Sequence, residues 1–291
     1  MFGPRRTGSL LCPSCRQLVG VNDDECLNCG RRRPGLLAHS RILTALAQEG
    51  AFATLVLWAC GALYLASVAV NLEGIAGDDV MSFLAPAPQS LFLFGASGSV
   101  PVFHFGRFWT VLAAGWLHGG LLHIVFNMMW VRNLAPVTAH LYGTSRTVII
   151  YTVSSVTGFL ASSLAGQFLP FLPSFLHGAG LTIGASASIF GLMGALLYYG
   201  HRSGSPLLTQ QVKAWALGGV VFGFLMPGID NWAHGGGFLG GYLVSRWLDP
   251  SQPERGDHTV AALLCLALSL AAVLLSVLTG LALLRPAAGP S

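Results

Sequence analysis

Apolar residues run along this chain in long blocks broken by short polar or proline-containing stretches, and the blocks set the architecture. Seven reach helical membrane-crossing length, at 51–72, 118–138, 146–168, 182–200, 211–227, 230–247 and 259–284. The pattern therefore predicts an all-α polytopic membrane protein, with a core of six helices at 50–247, a linker at 248–258 and a seventh helix at 259–285. Ahead of them, residues 1–35 are polar and cysteine-bearing and form a separate small unit, joined by a linker at 36–49. Between the first two spans, the segment 73–117 is too apolar for a disordered connector. Its Phe83, Leu91, Phe92, Phe94, Phe103, Phe105 and Trp109 suit a segment that dips into the membrane interface.

Composition agrees with the blocks. Hydrophobic residues make up 53% of the chain and charged ones 9%, whereas a soluble domain carries roughly 25% charged residues to face water. The 37 glycines suit helices that pack with their backbones close together.

Charge then orients the spans. No apolar run precedes Ala51, so the N-terminus is expected in the cytosol. With that placement all 15 lysines and arginines except Arg107 and Arg285 fall on the cytoplasmic side, as the positive-inside rule requires. The C-terminus is then outside. The net charge of +4 follows this topology and does not indicate a nucleic-acid partner.

In the leader, Cys12-Pro-Ser-Cys15 and Cys26-Leu-Asn-Cys29 are two CxxC pairs. Each can present two thiolates to one metal ion, and together they complete a tetrahedral four-cysteine set for structural Zn2+, in the manner of a zinc ribbon. A unit this small has little core, so the metal supplies its folding energy. A cytosolic address disfavours disulfides, and no βαβ pattern supports a thioredoxin-like redox motif. Cys60 and Cys265 lie inside apolar runs and read as small buried hydrophobes.

Polar side chains inside spans are costly and are functional candidates. The expected topology starts spans 2, 4 and 6 on the outer side, which puts His123, Asn127, Ser186 and His234 within roughly 5–15 Å of that surface. A hydroxyl, two imidazoles and an amide converge on one layer. Serines in membrane helices usually bond to their own backbone, but a helix N-terminus beside Ser186 also offers N–H groups to a developing oxyanion. Gly237 and Gly241, three and seven residues past His234, allow that span to approach closely enough for the imidazole to take the serine proton. Asp230 reads as a helix cap, so a dyad without a carboxylate is the simplest mechanism. His123 and Asn127, spaced i and i+4, share a face and can both donate to an oxyanion, while His118 stabilises the loop entry.

Three motifs occur in order: Leu117-His118-Gly119-Gly120-Leu121-Leu122-His123-Ile124-Val125-Phe126-Asn127, then Gly184-Ala185-Ser186 with Ile189-Phe190-Gly191, then Ala233-His234 with Gly237 and Gly241. Over about residues 50–247 this resembles the rhomboid family of intramembrane serine proteases. The resemblance implies a six-helix core with an outward-opening cavity. There Ser186 and His234 cut transmembrane segments of other proteins within the lipid bilayer of a cell membrane, without a catalytic cofactor. It also implies oxyanion contacts from His123, Asn127 and the Ser186 N–H, and packing of Phe190 against His234. The seventh span resembles an extra helix found in some members.

Two positions depart from the family pattern. Ala187 stands where glycine usually follows the serine, and its methyl is expected to shift the Ser–His distance and reduce activity. Trp109 is followed by Thr110 rather than arginine, which leaves the loop's anchoring open. Ser188 points about 200° away from Ser186 around the helix and is no substitute nucleophile. Catalytically inert rhomboid-like relatives typically lack the serine or the histidine, and this chain has both. A transporter would need paired ionisable residues or mid-membrane helix breaks that the spans lack.

Overall fold

Each apolar block becomes one helix. The computed structural model describes residues 8–12, 15, 17–20, 22–32, 34, 50–71, 83–173, 176–226, 228–252 and 254–284. The linker 36–49 and the start of the long loop, 72–82, lie outside these residues, as does Arg285. Helix α1 is Ala51–Val70, α4 Leu121–Tyr142, α5 Thr144–Phe168, α6 Ser186–Ser203, α7 Pro206–Leu225, α8 Asn231–Val244 and α9 Gly256–Leu284. Two short helices, α2 (Pro88–Phe94) and α3 (Thr110–Ala113), lie in the long loop, with a π-helical turn at Val100–His104 between them.

Among the described residues, only α1, α5 and α9 are individually long and apolar enough to cross a membrane, and α4 qualifies with the segment Thr110–Trp116, from which it bends by 93°. Two of the others fall short for physical reasons. Helix α6 is enclosed by its neighbours and buries most of its residues, from Ala187 to Gly200, so lipid does not select its composition. Helix α8 has 14 residues, about 21 Å at 1.5 Å per residue, against a hydrocarbon core of about 30 Å. Outward-facing side chains such as Trp58, Leu217, Leu225, Leu264 and Leu278 are largely exposed. In water they would form an apolar surface far beyond what a soluble monomer tolerates. The molecule is a multi-pass helical membrane protein.

Glycines hold the centre together. At Gly237 and Gly241 of α8 an added Cβ would run into the carbonyls of Ala187 and Gly191 on α6, and at Gly194 into that of Phe238. At Gly158 of α5 it would lie 2.5 Å from the Ala233 carbonyl and 2.8 Å from the Ala187 methyl. Helices α5, α6 and α8 thus meet at backbone distance around Ala187. Ser188 faces α5 and donates to the Tyr151 carbonyl at 2.8 Å, so it is turned away from α8. Cys60 is buried in the main apolar cluster and is a free thiol.

The leader forms its own small unit. Strands β1 (Ser9–Leu11) and β2 (Leu18–Gly20) pair antiparallel, with Leu10 opposite Val19. Each CxxC begins a turn closed by backbone bonds, Cys12 N–H to Gln17 and Cys26 N–H to Arg31.

Candidate active site

Ser186 is the first residue of α6, not a residue one turn inside it as the hydropathy pattern suggests. The reason is local. Gly184 has φ 123, a left-handed conformation that ends any helical path into Ser186. The residues before it run extended against the long loop, where Ser97 and Thr182 exchange backbone bonds of 3.0 and 2.8 Å. The Gly184 N–H then donates to the Ala114 carbonyl at 3.0 Å. As the first residue of α6, Ser186 has a backbone N–H with no intrahelical acceptor.

The Ser186 Oγ lies 2.9 Å from His234 Nε2. The Ala187 methyl faces Gly158 of α5 and lies in a cluster with Phe159 and Ala233. His234 is 7% exposed. Its ring stacks on Phe190 with centroids 4.2 Å apart and planes inclined by 13°. Among the described residues His234 Nδ1 is buried without a hydrogen-bond partner, and none of their carboxylates orients the ring from behind. Asp230 instead caps α8, accepting from the Ala233 N–H at 3.0 Å.

His123 faces the same space from α4. The Gly119 N–H donates to its Nδ1 at 3.2 Å. A backbone N–H can only donate, so the neutral ring carries its proton on Nε2. That nitrogen points at Gly184, where an added Cβ would be 2.7 Å from His123 Nε2 and 3.7 Å from Ser186 Oγ. A side chain there would fill the gap between donor and hydroxyl. Asn127 is buried on the same face, and its Nδ2 donates to the His123 carbonyl at 2.8 Å. Its second N–H is left for another acceptor. His118 is fully buried edge-on to His123, with ring centroids 5.2 Å apart, and among the described residues neither ring nitrogen makes a well-aligned hydrogen bond.

The long loop is anchored by a residue that the motifs do not single out. Arg107, three positions before Thr110, is 1% exposed and donates to the Phe92 and Ser276 carbonyls, both at 2.7 Å. An arginine among aromatic residues in an apolar loop was the available signal. Its partner on α9 was not readable from sequence.

In the leader, the Sγ atoms of Cys12, Cys15, Cys26 and Cys29 all lie within 4.8 Å of one another, with Cys12–Cys29 and Cys15–Cys26 at 3.6 Å. A disulfide needs about 2.05 Å, whereas four thiolates at about 2.3 Å around one tetrahedral zinc stand about 3.8 Å apart. The four residues fit the metal and not a pair of disulfides.

A partly buried hydroxyl in contact with a buried imidazole thus sits at the junction of packed helices, with N–H groups beside it. Residues 105–250 match the family model described as the Rhomboid domain, and the chain belongs to the rhomboid family. Among its relatives, Rhomboid protease GluP of Bacillus subtilis (strain 168) is 30% identical over 185 residues, covering 62% of this chain and 34% of that protein. RHOMBOID-like protein 7 of Arabidopsis thaliana is 32% identical over 172 residues, 55% of this chain and 49% of its own length. Rhomboid-like protease 5 of Toxoplasma gondii is 27% identical over 178 residues, 59% of this chain and 20% of its own. The chain thus spans half or less of the length of these curated relatives.

Proposed function

We propose that this protein is an intramembrane serine endopeptidase that cleaves transmembrane segments of other membrane proteins, with Ser186 as nucleophile and His234 as its base. The observation that carries the reading is the 2.9 Å contact between Ser186 Oγ and His234 Nε2, with the His234 ring stacked on Phe190. The names of the relatives, rhomboid proteases among them, support it.

The chemistry follows from the contacts. His234 Nε2 takes the proton of Ser186 Oγ as the oxygen attacks the scissile carbonyl. The negative charge that develops on the carbonyl oxygen meets the Ser186 N–H, the His123 Nε2–H and the second N–H of Asn127. His234 then returns the proton to the departing amine. Water, deprotonated by the same imidazole, releases the acyl group from Ser186. Stacking on Phe190 holds the ring in the attitude that a carboxylate would otherwise impose, so the two residues act as a dyad. Glycine at 184 keeps the oxyanion position open, and His118 supports His123 from the side. Catalysis by these groups calls for no cofactor.

The distribution of lysine and arginine supports a cytoplasmic N-terminus, an outside C-terminus and a site that opens on the outer side of a cell membrane. The four leader cysteines would hold a structural zinc ion, which cross-links the two turns and stabilises the unit.

A fluorogenic transmembrane peptide reconstituted with the protein in vesicles tests the reading. Cleavage is expected with the native chain and essentially none with Ser186→Ala or His234→Ala. The double variant should be no worse than either, because the pair acts as a unit. Retained cleavage in Ser186→Ala together with loss in Ser188→Ala would overturn the assignment.

A further inference from the structure

Arg107 is among the largest fully buried side chains in the molecule. Among the described residues no carboxylate pairs with it. Its guanidinium is met instead by the Phe92 and Ser276 carbonyls, both at 2.7 Å, and by the Phe92 ring, whose centroid lies 4.3 Å from Cζ. Burying a cation is costly, and two forked carbonyl contacts with a π face are how a guanidinium, rather than an ammonium, can be accommodated. Both ends of this clamp are informative. Phe92 is on α2 in the loop, and Ser276 is on α9, beyond the residues that match the Rhomboid domain.

Ser276 makes further contacts there. Its Oγ accepts from Trp109 Nε1 at 3.1 Å. An added Cβ at Gly95 would lie 2.6 Å from that Oγ, and one at Gly280 would lie 2.9 Å from Leu93 Cδ1. Glycine at both positions lets α9 dock directly on the loop. The first half of α9 is held separately, where Ala262, Cys265 and Leu266 pack into the main apolar cluster. The contact at Ser276 is therefore not what keeps α9 in place.

From the loop the connection continues to the nucleophile by backbone bonds. Ser97 pairs with Thr182, the Ser99 N–H donates to Ala179 at 2.9 Å and the Val100 N–H to Gly180 at 3.1 Å. Ala114 accepts from the Gly184 N–H at 3.0 Å, two residues before Ser186 and against His123 Nε2. We infer that α9 is a positioning element for the reaction: Ser276, through Arg107 and Trp109, holds the loop whose backbone ladder sets the Thr182–Ser186 segment. This rests on the serine-protease reading of the site. None of Arg107, Trp109 and Ser276 touches the reacting atoms, and their effect passes through the placement of Gly184 and Ser186.

The test uses the full chain in detergent and in vesicles, with three readouts. These are the rate at which a fluorophosphonate labels Ser186, kcat and KM on the transmembrane peptide, and hydrogen exchange of the amides at 97–100 and 182–184. Arg107→Leu removes both forked contacts at similar volume. It should slow labelling and lower kcat on the order of 10–100-fold, the effect of misplacing a reacting group by about 1 Å. KM should change less than about twofold, and exchange at 97–100 and 182–184 should rise. Arg107→Lys keeps the charge but cannot span both carbonyls, and should recover only part of the rate.

Should Arg107→Leu fail to fold, Trp109→Phe and Ser276→Ala each remove one hydrogen bond and should give the same signature more weakly. Folded variants with native labelling and native exchange would overturn the inference. So would a loss of kcat with unchanged exchange at 182–184. A native chain that folds but is never labelled would instead refute the reading of Ser186, while the exchange measurement would still decide whether Arg107 orders the segment before it.

Discussion

The sharpest consequence of the packing concerns Gly237. An added methyl at this position would overlap the Ala187 carbonyl oxygen and lie 2.8 Å from its carbon and 3.1 Å from its Cα. The oxygen is the nearest of the three and ordinary contact begins near 3.4 Å, so α6 and α8 must part by about an ångström. The obstacle is backbone within a helix and cannot rotate aside. Overpacking of this kind costs about 1–3 kcal/mol. The same displacement acts on the pair the helices carry, since Ser186 is one residue before Ala187 and His234 three residues before Gly237. Proton transfer needs a heavy-atom separation of about 2.6–3.2 Å, and the present 2.9 Å leaves little margin.

Gly237→Ala should therefore lower kcat about 100-fold while the protein still purifies folded. Gly235→Ala is the matched control, because an added Cβ there meets nothing within 4 Å. It should leave turnover within about twofold and raise helix stability slightly. Peptide cleavage in vesicles, with thermal unfolding of both variants in detergent, measures the contrast. Native turnover in Gly237→Ala, or equal losses in both, would refute the claim that backbone contact between α6 and α8 sets the Ser186–His234 distance.

Three further expectations are independent of that contact. Asn127→Ala should slow cleavage roughly 10–1,000-fold without unfolding, as loss of one oxyanion donor does; unchanged turnover would make it a packing residue. Ala187→Gly, which empties a fully buried site facing α5, should lower stability by about 1–2 kcal/mol. It should not raise turnover, and a faster enzyme would mean that the methyl does strain the pair. The purified protein should carry one zinc per chain by elemental analysis. Cys12→Ser or Cys29→Ser should abolish it while cleavage in detergent persists, and a native chain with four free thiols and no zinc would count against the four-cysteine site.

The order of the long helices, the cluster of leader cysteines and the gathering of Ser186, His234, His123 and Asn127 on one layer were legible in the sequence. Each is written locally: apolar length specifies a span, CxxC spacing specifies a pair of thiolates, and a lone polar group in an apolar run marks itself by its cost. Asp230 as a cap was legible for the same reason, since capping is settled within one helical turn. What sequence could not settle was anything that depends on which backbones touch. Ser186 sits at the helix start and not one turn in, because the chain before it pairs with residues near Ser97, far away along the chain. The methyl of Ala187 faces α5 and not the Ser–His line, because three helices meet there at backbone distance. The loop is held by Arg107 in the absence of arginine at position 110, and the carbonyl that receives its guanidinium belongs to Ser276 on the last helix. A backbone carbonyl has no side-chain signature, so such a contact exists only once the tertiary structure has brought the two segments together.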